Sequence, residues 1–122
     1  AGEPDFATPA NIVDAAEVSV ATARLAQVST PAMVTVLAMA QPESMACRAD
    51  PADLEAALLN LCVNAGHAMP DGGVVRIATT PRKLGGADAA ALGVAPGPYV
   101  AFSVIDSGAL NRKGSVFWRR SR

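Results

Sequence analysis

At 122 residues, 51% hydrophobic and 17% charged, the chain can bury one sizeable core, and its 4% aromatic content makes that core aliphatic. It contains no run of about 18 apolar residues, and its first residues lack the basic start and apolar stretch of a signal peptide, so a cytoplasmic segment without a membrane span is expected. The net charge of −1 conceals an asymmetry, because residues 1–111 hold 5 basic and 11 acidic side chains while residues 112–122 hold 5 basic and none acidic. A lone basic tail without repeats reads as solvated charge, and nucleic acid is not an expected partner.

Residues 1–10 form an irregular lead-in. From Asn11 to Val28 the recurrence of Val18, Ala21, Leu25 and Val28 predicts a helix, with Asp14 placed to cap it and Ser29-Thr30-Pro31 ending it. Met33 to Met39 is apolar and β-branched, which predicts a buried strand. Gln41-Pro42-Glu43 then turns the chain, and Met45 to Arg48 would complete a hairpin with that strand. Cys47 and Cys62 fall outside any C-x-x-C spacing and are expected to be reduced thiols.

The stretch Asp50 to Gly73, D-P-A-D-L-E-A-A-L-L-N-L-C-V-N-A-G-H-A-M-P-D-G-G, opens and closes with helix signals. Asp50 suits the N-cap, Pro51 the first turn and Asp53 the positive end of the dipole, and Pro70-Asp71-Gly72-Gly73 is a stop and turn. At about 100° per residue, Leu54, Leu58, Leu61, Ala65 and Met69 make an apolar stripe, and Asp53, Asn60, Asn64 and His67 lie roughly opposite. By spacing alone, asparagines at i and i+4 describe an ordinary solvated face.

Val74 to Thr80 alternates as a strand with one covered face, and Pro81 to Pro98 reads as a surface excursion. Tyr99 to Ile105 gives the clearest strand signal, and it runs into Asp106-Ser107-Gly108, a carboxylate at a strand end followed by glycine. The order of elements predicts an α+β fold, a two-layer sandwich with helices on one face of a mixed sheet.

These two motifs together resemble the ATP-binding catalytic domain of bacterial sensor histidine kinases, a fold shared with gyrase and the mismatch-repair ATPases. The kinase N-box pattern D-x-x-x-L-x-x-x-L-x-N-L-x-x-N-A stands here as D-P-A-D-L-E-A-A-L-L-N-L-C-V-N-A, followed by A-M-P-D-G-G. P-G-P-Y-V-A-F-S-V-I-D-S-G resembles the strand entering the family's first glycine box. The resemblance implies ATP and Mg2+ as cofactors. It makes Asn64 the magnesium ligand and gives Asn60 the catalytic task of organising metal, water and phosphates. Asp106 becomes the acceptor for the adenine amino group, and Gly108 the residue that lets the backbone approach the base. His67 stands where some members carry a basic residue near phosphate and others an acidic one, so a plain surface histidine is an equal reading. A hydrolytic glutamate, expected at Asn60 in gyrase-like relatives, is missing, which favours kinase over self-contained ATPase.

The departures are also part of the reading. Leu110 occupies the second glycine position of D-x-G-x-G, and N-R-K-G-S-V-F-W-R-R-S-R matches neither lid nor second glycine box. The expectation is therefore a partial ATP-binding domain over residues 11–110, incomplete at its C-terminus, followed by an atypical basic tail at 111–122. The parent protein would phosphorylate a histidine on a separate phosphoacceptor domain for relay to a response regulator, whether free or membrane-attached. The stretch alone is expected to be inactive, and the alternative is a non-catalytic binding module that keeps the fold without nucleotide use. Missing strands would also leave an open sheet edge prone to self-association, unless Val116, Phe117 and Trp118 supply a substitute strand.

Overall fold

A computed structural model describes residues 11–39, 41, 43–108 and 112–121. The lead-in and Leu110 lie outside the described residues. In chain order the elements are β1 (Asn11–Asp14), α1 (Ala15–Ser29), β2 (Val34–Ala38), β3 (Ala46–Ala49), α2 (Pro51–His67), β4 (Gly73–Leu84), α3 (Gly86–Leu92), β5 (Gly97–Asp106) and β6 (Lys113–Arg119). A four-stranded mixed sheet runs β2-β4-β5-β6, and β1 pairs with β3 in a two-stranded sheet. The architecture is the α+β sandwich expected, with α1 and α2 packed together over one face of the larger sheet.

Capping sets both long helices. Asp14 Oδ1 accepts from the backbone N–H groups of Ala16 at 2.8 Å and Glu17 at 3.2 Å, so α1 starts at Ala15. The residues before it, expected to be helical, form β1 instead, in register with Ala46–Ala49. Asp50 Oδ1 accepts from Ala52 N–H at 2.9 Å, with Pro51 in the first turn of α2. The buried residues of α1 are Ala15, Ser19, Thr22, Ala23 and Ala26, while Leu25 is 42% and Val28 82% exposed. Of the expected apolar stripe of α1, Val18 packs against the core, whereas Ala21, Leu25 and Val28 face outward. Small side chains lie inward because α1 must approach α2 closely, and larger ones would hold the helices apart. In α2 the buried row is Leu54, Leu58, Cys62 and Gly66, with Met69 beyond it. Leu61 and Ala65 of the expected stripe are only half-buried.

The expected hairpin of β2 with β3 does not form. β2 pairs with β4 in parallel, Val34 opposite Gly73 through Ala38 opposite Ile77, and α2 lies in the crossover between them. On the other edge of β2 the Gln27 side chain donates from Nε2 to Val34 O at 2.7 Å and accepts from Val36 N–H at 2.9 Å. One carboxamide thus fills part of the position that a hairpin partner would take. β5 is one of two interior strands, buried continuously from Tyr99 to Asp106 apart from the half-buried Ile105, and antiparallel to β4 on one side.

In the second half one expectation changes, and the substitute strand that Val116, Phe117 and Trp118 offered is formed. Pro81 to Pro98 is not a loop excursion, because β4 continues to Leu84, α3 follows and β5 begins at Gly97. Leu84 and Ala89 form a small cluster with Tyr99, and Phe117 packs against it. The basic tail is a strand: β6 pairs antiparallel with β5 from Tyr99 opposite Arg119 to Ile105 opposite Lys113. Val116 and Trp118 pack on the main core while Phe117 meets the smaller cluster, the alternation of a strand covered on both faces. The β5 edge is therefore closed within the chain. Past β6, Ser121 N–H donates to Ala46 O at 2.9 Å and Cys47 bridges to Arg120, joining the chain end to β3.

Candidate functional site

α2 and the end of β5 face each other across a cleft of about 230 Å³ lined by Leu61, Asn64, Ala65, Val104, Asp106, Arg112, Lys113 and Gly114. The half-burial of Leu61 and Ala65 follows from this position: they form the apolar wall of a cleft rather than the closed core. Asp106 has the same parity on β5 as Val100, Phe102 and Val104, which places it on the helix side of the sheet. Its register partner on β4 is Val75.

The D-S-G turn is tied down at three points. Asp106 is 4% exposed, and its Oδ1 accepts from Gly108 N–H at 2.9 Å. Among the described residues this is the one hydrogen bond to the carboxylate, so acceptor capacity remains for a ligand. Ser107 Oγ accepts from Val74 N–H at 2.9 Å, and Ser107 N–H donates to Val74 O at 3.0 Å. A Cβ on Gly108 would stand 3.1 Å from both Asp106 Oδ1 and Met69 Cγ. Glycine there lets the chain fold back against the carboxylate and the residue that follows α2.

The α2 end is fixed as tightly. Ala68 N–H donates to Asn64 O at 3.2 Å and Met69 N–H to Gly66 O at 3.1 Å. Gly72 then reverses the chain with φ 101°, and a Cβ there would lie 2.7 Å from Met33 O, so only glycine fits without strain.

Of the residues singled out in the sequence, Asn64 and Asp106 come together in the cleft. Gly108 is bonded to Asp106 beside it. Asn60 and His67 are exposed on α2 at one turn to either side of Asn64, and neither lines the cleft. Among the described residues the side chains of Asn60 and Asn64 have no internal hydrogen-bond partner, which leaves their carbonyl oxygens free to ligate. No group of three or more His, Cys, Asp or Glu among the described residues could hold a metal ion.

Sequence reasoning missed Arg112 and Lys113. Asp106 N–H donates to Arg112 O at 3.1 Å, which sets this basic pair against the carboxylate's end of β5. The signal was present in the charge jump at residue 112 and in V-F-W, whose alternation suits a strand. At and just past the end of β6 the cations are engaged: Arg119 lies 5.0 Å from the centroid of the Tyr99 ring and Arg120 Nη2 is 3.2 Å from Glu43 Oε2. Cys47 and Cys62 are buried free thiols away from the cleft, each pushed up to about 11 by burial, with Asp14 adding to the effect at Cys47. Among the described residues no helix is long and apolar enough to cross a membrane. No protein-family model matches the chain, and no curated protein matches it.

Proposed function

We propose that the cleft between α2 and β5 is an adenine-nucleotide site and that the chain carries part of the ATP-binding domain of a sensor histidine kinase. In the parent protein that domain would pass a phosphoryl group to a histidine on a separate domain, for relay to a response regulator. The observation that carries the reading is the convergence of Asn64 and Asp106 on one cleft, from two motifs separated by β4 and α3. Asp106 presents a fixed acceptor at the floor, which suits the amino group of adenine and disfavours the carbonyl that guanine offers there. Leu61, Ala65 and Val104 supply apolar surface for a base. Magnesium, when bound with the phosphates, would neutralise their charge; Asn64 would hold it and Asn60 would help orient its waters.

A second reading, that this chain binds ligand without catalysing transfer, is favoured by the cleft's size. Its 230 Å³ is below the roughly 300–1,000 Å³ of pockets that enclose drug-sized ligands, so a base fits while phosphates remain at the mouth. β6 stands where its Gly114 approaches Leu61, and a Cβ on Gly114 would lie 3.0 Å from Leu61 Cδ2. Phosphates left in high dielectric gain little from each contact.

Calorimetric titration of the chain with ATP, GTP and inosine triphosphate tests the base reading. Weak binding with ATP preferred is expected, and Asp106→Asn should cost roughly 1–3 kcal/mol of ATP affinity as a charge-assisted bond becomes neutral. Equal binding of the three nucleotides, or an unaffected Asp106→Asn variant, removes the adenine assignment. Phosphorylation of an added phosphoacceptor-histidine domain separates the kinase from the binding module.

A further inference from the structure

We propose that Arg112 and Lys113 are the phosphate-binding residues of this cleft, so that it takes a nucleoside diphosphate without needing a divalent cation. The inference rests on the nucleotide reading above but comes from residues outside both motifs. Arg112 and Lys113 line the same cleft as Asp106 and Asn64, and both are exposed. Their backbone is held in place: Asp106 N–H donates to Arg112 O at 3.1 Å, and Lys113 stands in register opposite Ile105.

Among the described residues, neither Arg112 nor Lys113 has a carboxylate partner within salt-bridge distance, whereas Arg120 pairs with Glu43 and Arg119 covers Tyr99. The one carboxylate lining the cleft, Asp106, has one oxygen accepting from Gly108 N–H. Two cations against one carboxylate leave the mouth of the cleft positive.

The dimensions select the ligand. A base seated against Leu61, Ala65 and Val104 fills much of a 230 Å³ cleft, which leaves a ribose-linked diphosphate at the rim. There an arginine fork and a lysine point charge can each take phosphate oxygens directly. A direct pair of cations at the rim neutralises phosphate charge without requiring a metal, and Asn64 stays across the cleft to hold magnesium where it is present.

Titrating the 122-residue chain with adenosine, ADP and pyrophosphate in chelator at low salt tests this, with a parallel ADP series containing magnesium. ADP in chelator should bind roughly ten-fold tighter than adenosine, with magnesium adding little. At about 1 M salt, where screening acts within about 3 Å, that advantage should collapse. In an Arg112→Gln, Lys113→Gln double variant with an unchanged circular dichroism spectrum, ADP should bind no tighter than adenosine does to the same variant. Retention of the ADP advantage by that variant overturns the inference, as does an ADP advantage in the wild type only with magnesium. Pyrophosphate binding that depends on the two cations, with no adenosine binding, would uphold the rim and defeat the adenine assignment. If adenosine, ADP and pyrophosphate all fail to bind, both are wrong.

Discussion

Gly66 is the residue through which packing reaches the site, and replacing it with alanine puts two effects in opposition. It lies on α2 between Asn64 and His67, and its missing side chain lets the last turn of α2 press against the loop that ends α1. A Cβ there would stand 2.7 Å from Thr30 Cγ2 and 3.1 Å from Thr30 Cβ, far inside the contact distance of about 3.5–4.0 Å. Thr30 cannot swing away freely, because its hydroxyl donates to Ala26 O at 2.9 Å and a β-branched side chain is stiff at χ1. Alanine gains about 1 kcal/mol in helix propensity, and overpacking of this kind costs about 1–3 kcal/mol. The expected net effect of Gly66→Ala is a loss of about 1 kcal/mol. Thr30→Ser removes Cγ2 while keeping the hydroxyl bond, so in that background Gly66→Ala should be neutral or stabilising by up to about 1 kcal/mol. Urea denaturation of the four proteins gives the coupling, expected at about 1–2 kcal/mol. Additivity within about 0.5 kcal/mol would refute the clash, since it would mean that α2 and the α1 loop separate at no cost.

Gln27→Ala should free Val34 O and Val36 N–H on the outer edge of β2, lowering stability by about 1 kcal/mol and promoting association through that edge. Sedimentation velocity over a concentration series checks it, and an unchanged monomer with an unchanged denaturation midpoint contradicts it. The buried thiols predict an alkaline loss of stability. An unfolded cysteine loses its proton near 9.0 while folded Cys47 and Cys62 keep theirs to about 11, so this contribution is complete below pH 9 and falls away as pH rises through 11. Two units per thiol correspond to at most roughly 2–3 kcal/mol each, and Cys62→Ala should flatten the decline between pH 9 and 11 relative to wild type. Parallel stability curves for the two proteins would exclude the thiol as a cause.

Local chemistry was legible in the chain where one residue acts on its neighbours. Asp14 and Asp50 start their helices because a carboxylate two or three residues from free N–H groups needs no tertiary partner to cap them. The Pro70-Asp71-Gly72-Gly73 stop and the long run from Tyr99 to Asp106 were likewise written in turn chemistry and β-branching. The pairing of Asn64 with Asp106 was legible only through motif resemblance, since nothing local connects α2 to the end of β5.

Tertiary structure decided which face of each helix is buried and which strands pair. Ala21, Leu25 and Val28 have helical spacing, yet α1 turns Ala15, Ser19, Thr22 and Ala26 inward, because close approach of two helices rewards small side chains over larger ones. β2 and β3 are neighbours in sequence with a turn between them, but β4 offers β2 a long partner across the α2 crossover and Gln27 occupies the other edge. The basic tail shows the same limit most plainly. Its charge suggested solvation and its Val116, Phe117 and Trp118 a substitute strand; the exposed edge and apolar surface of β5 decide for the strand, which brings Arg112 and Lys113 to the cleft. Burial against a surface built from distant residues outweighs local charge, and no property of residues 112–122 read alone contains that surface.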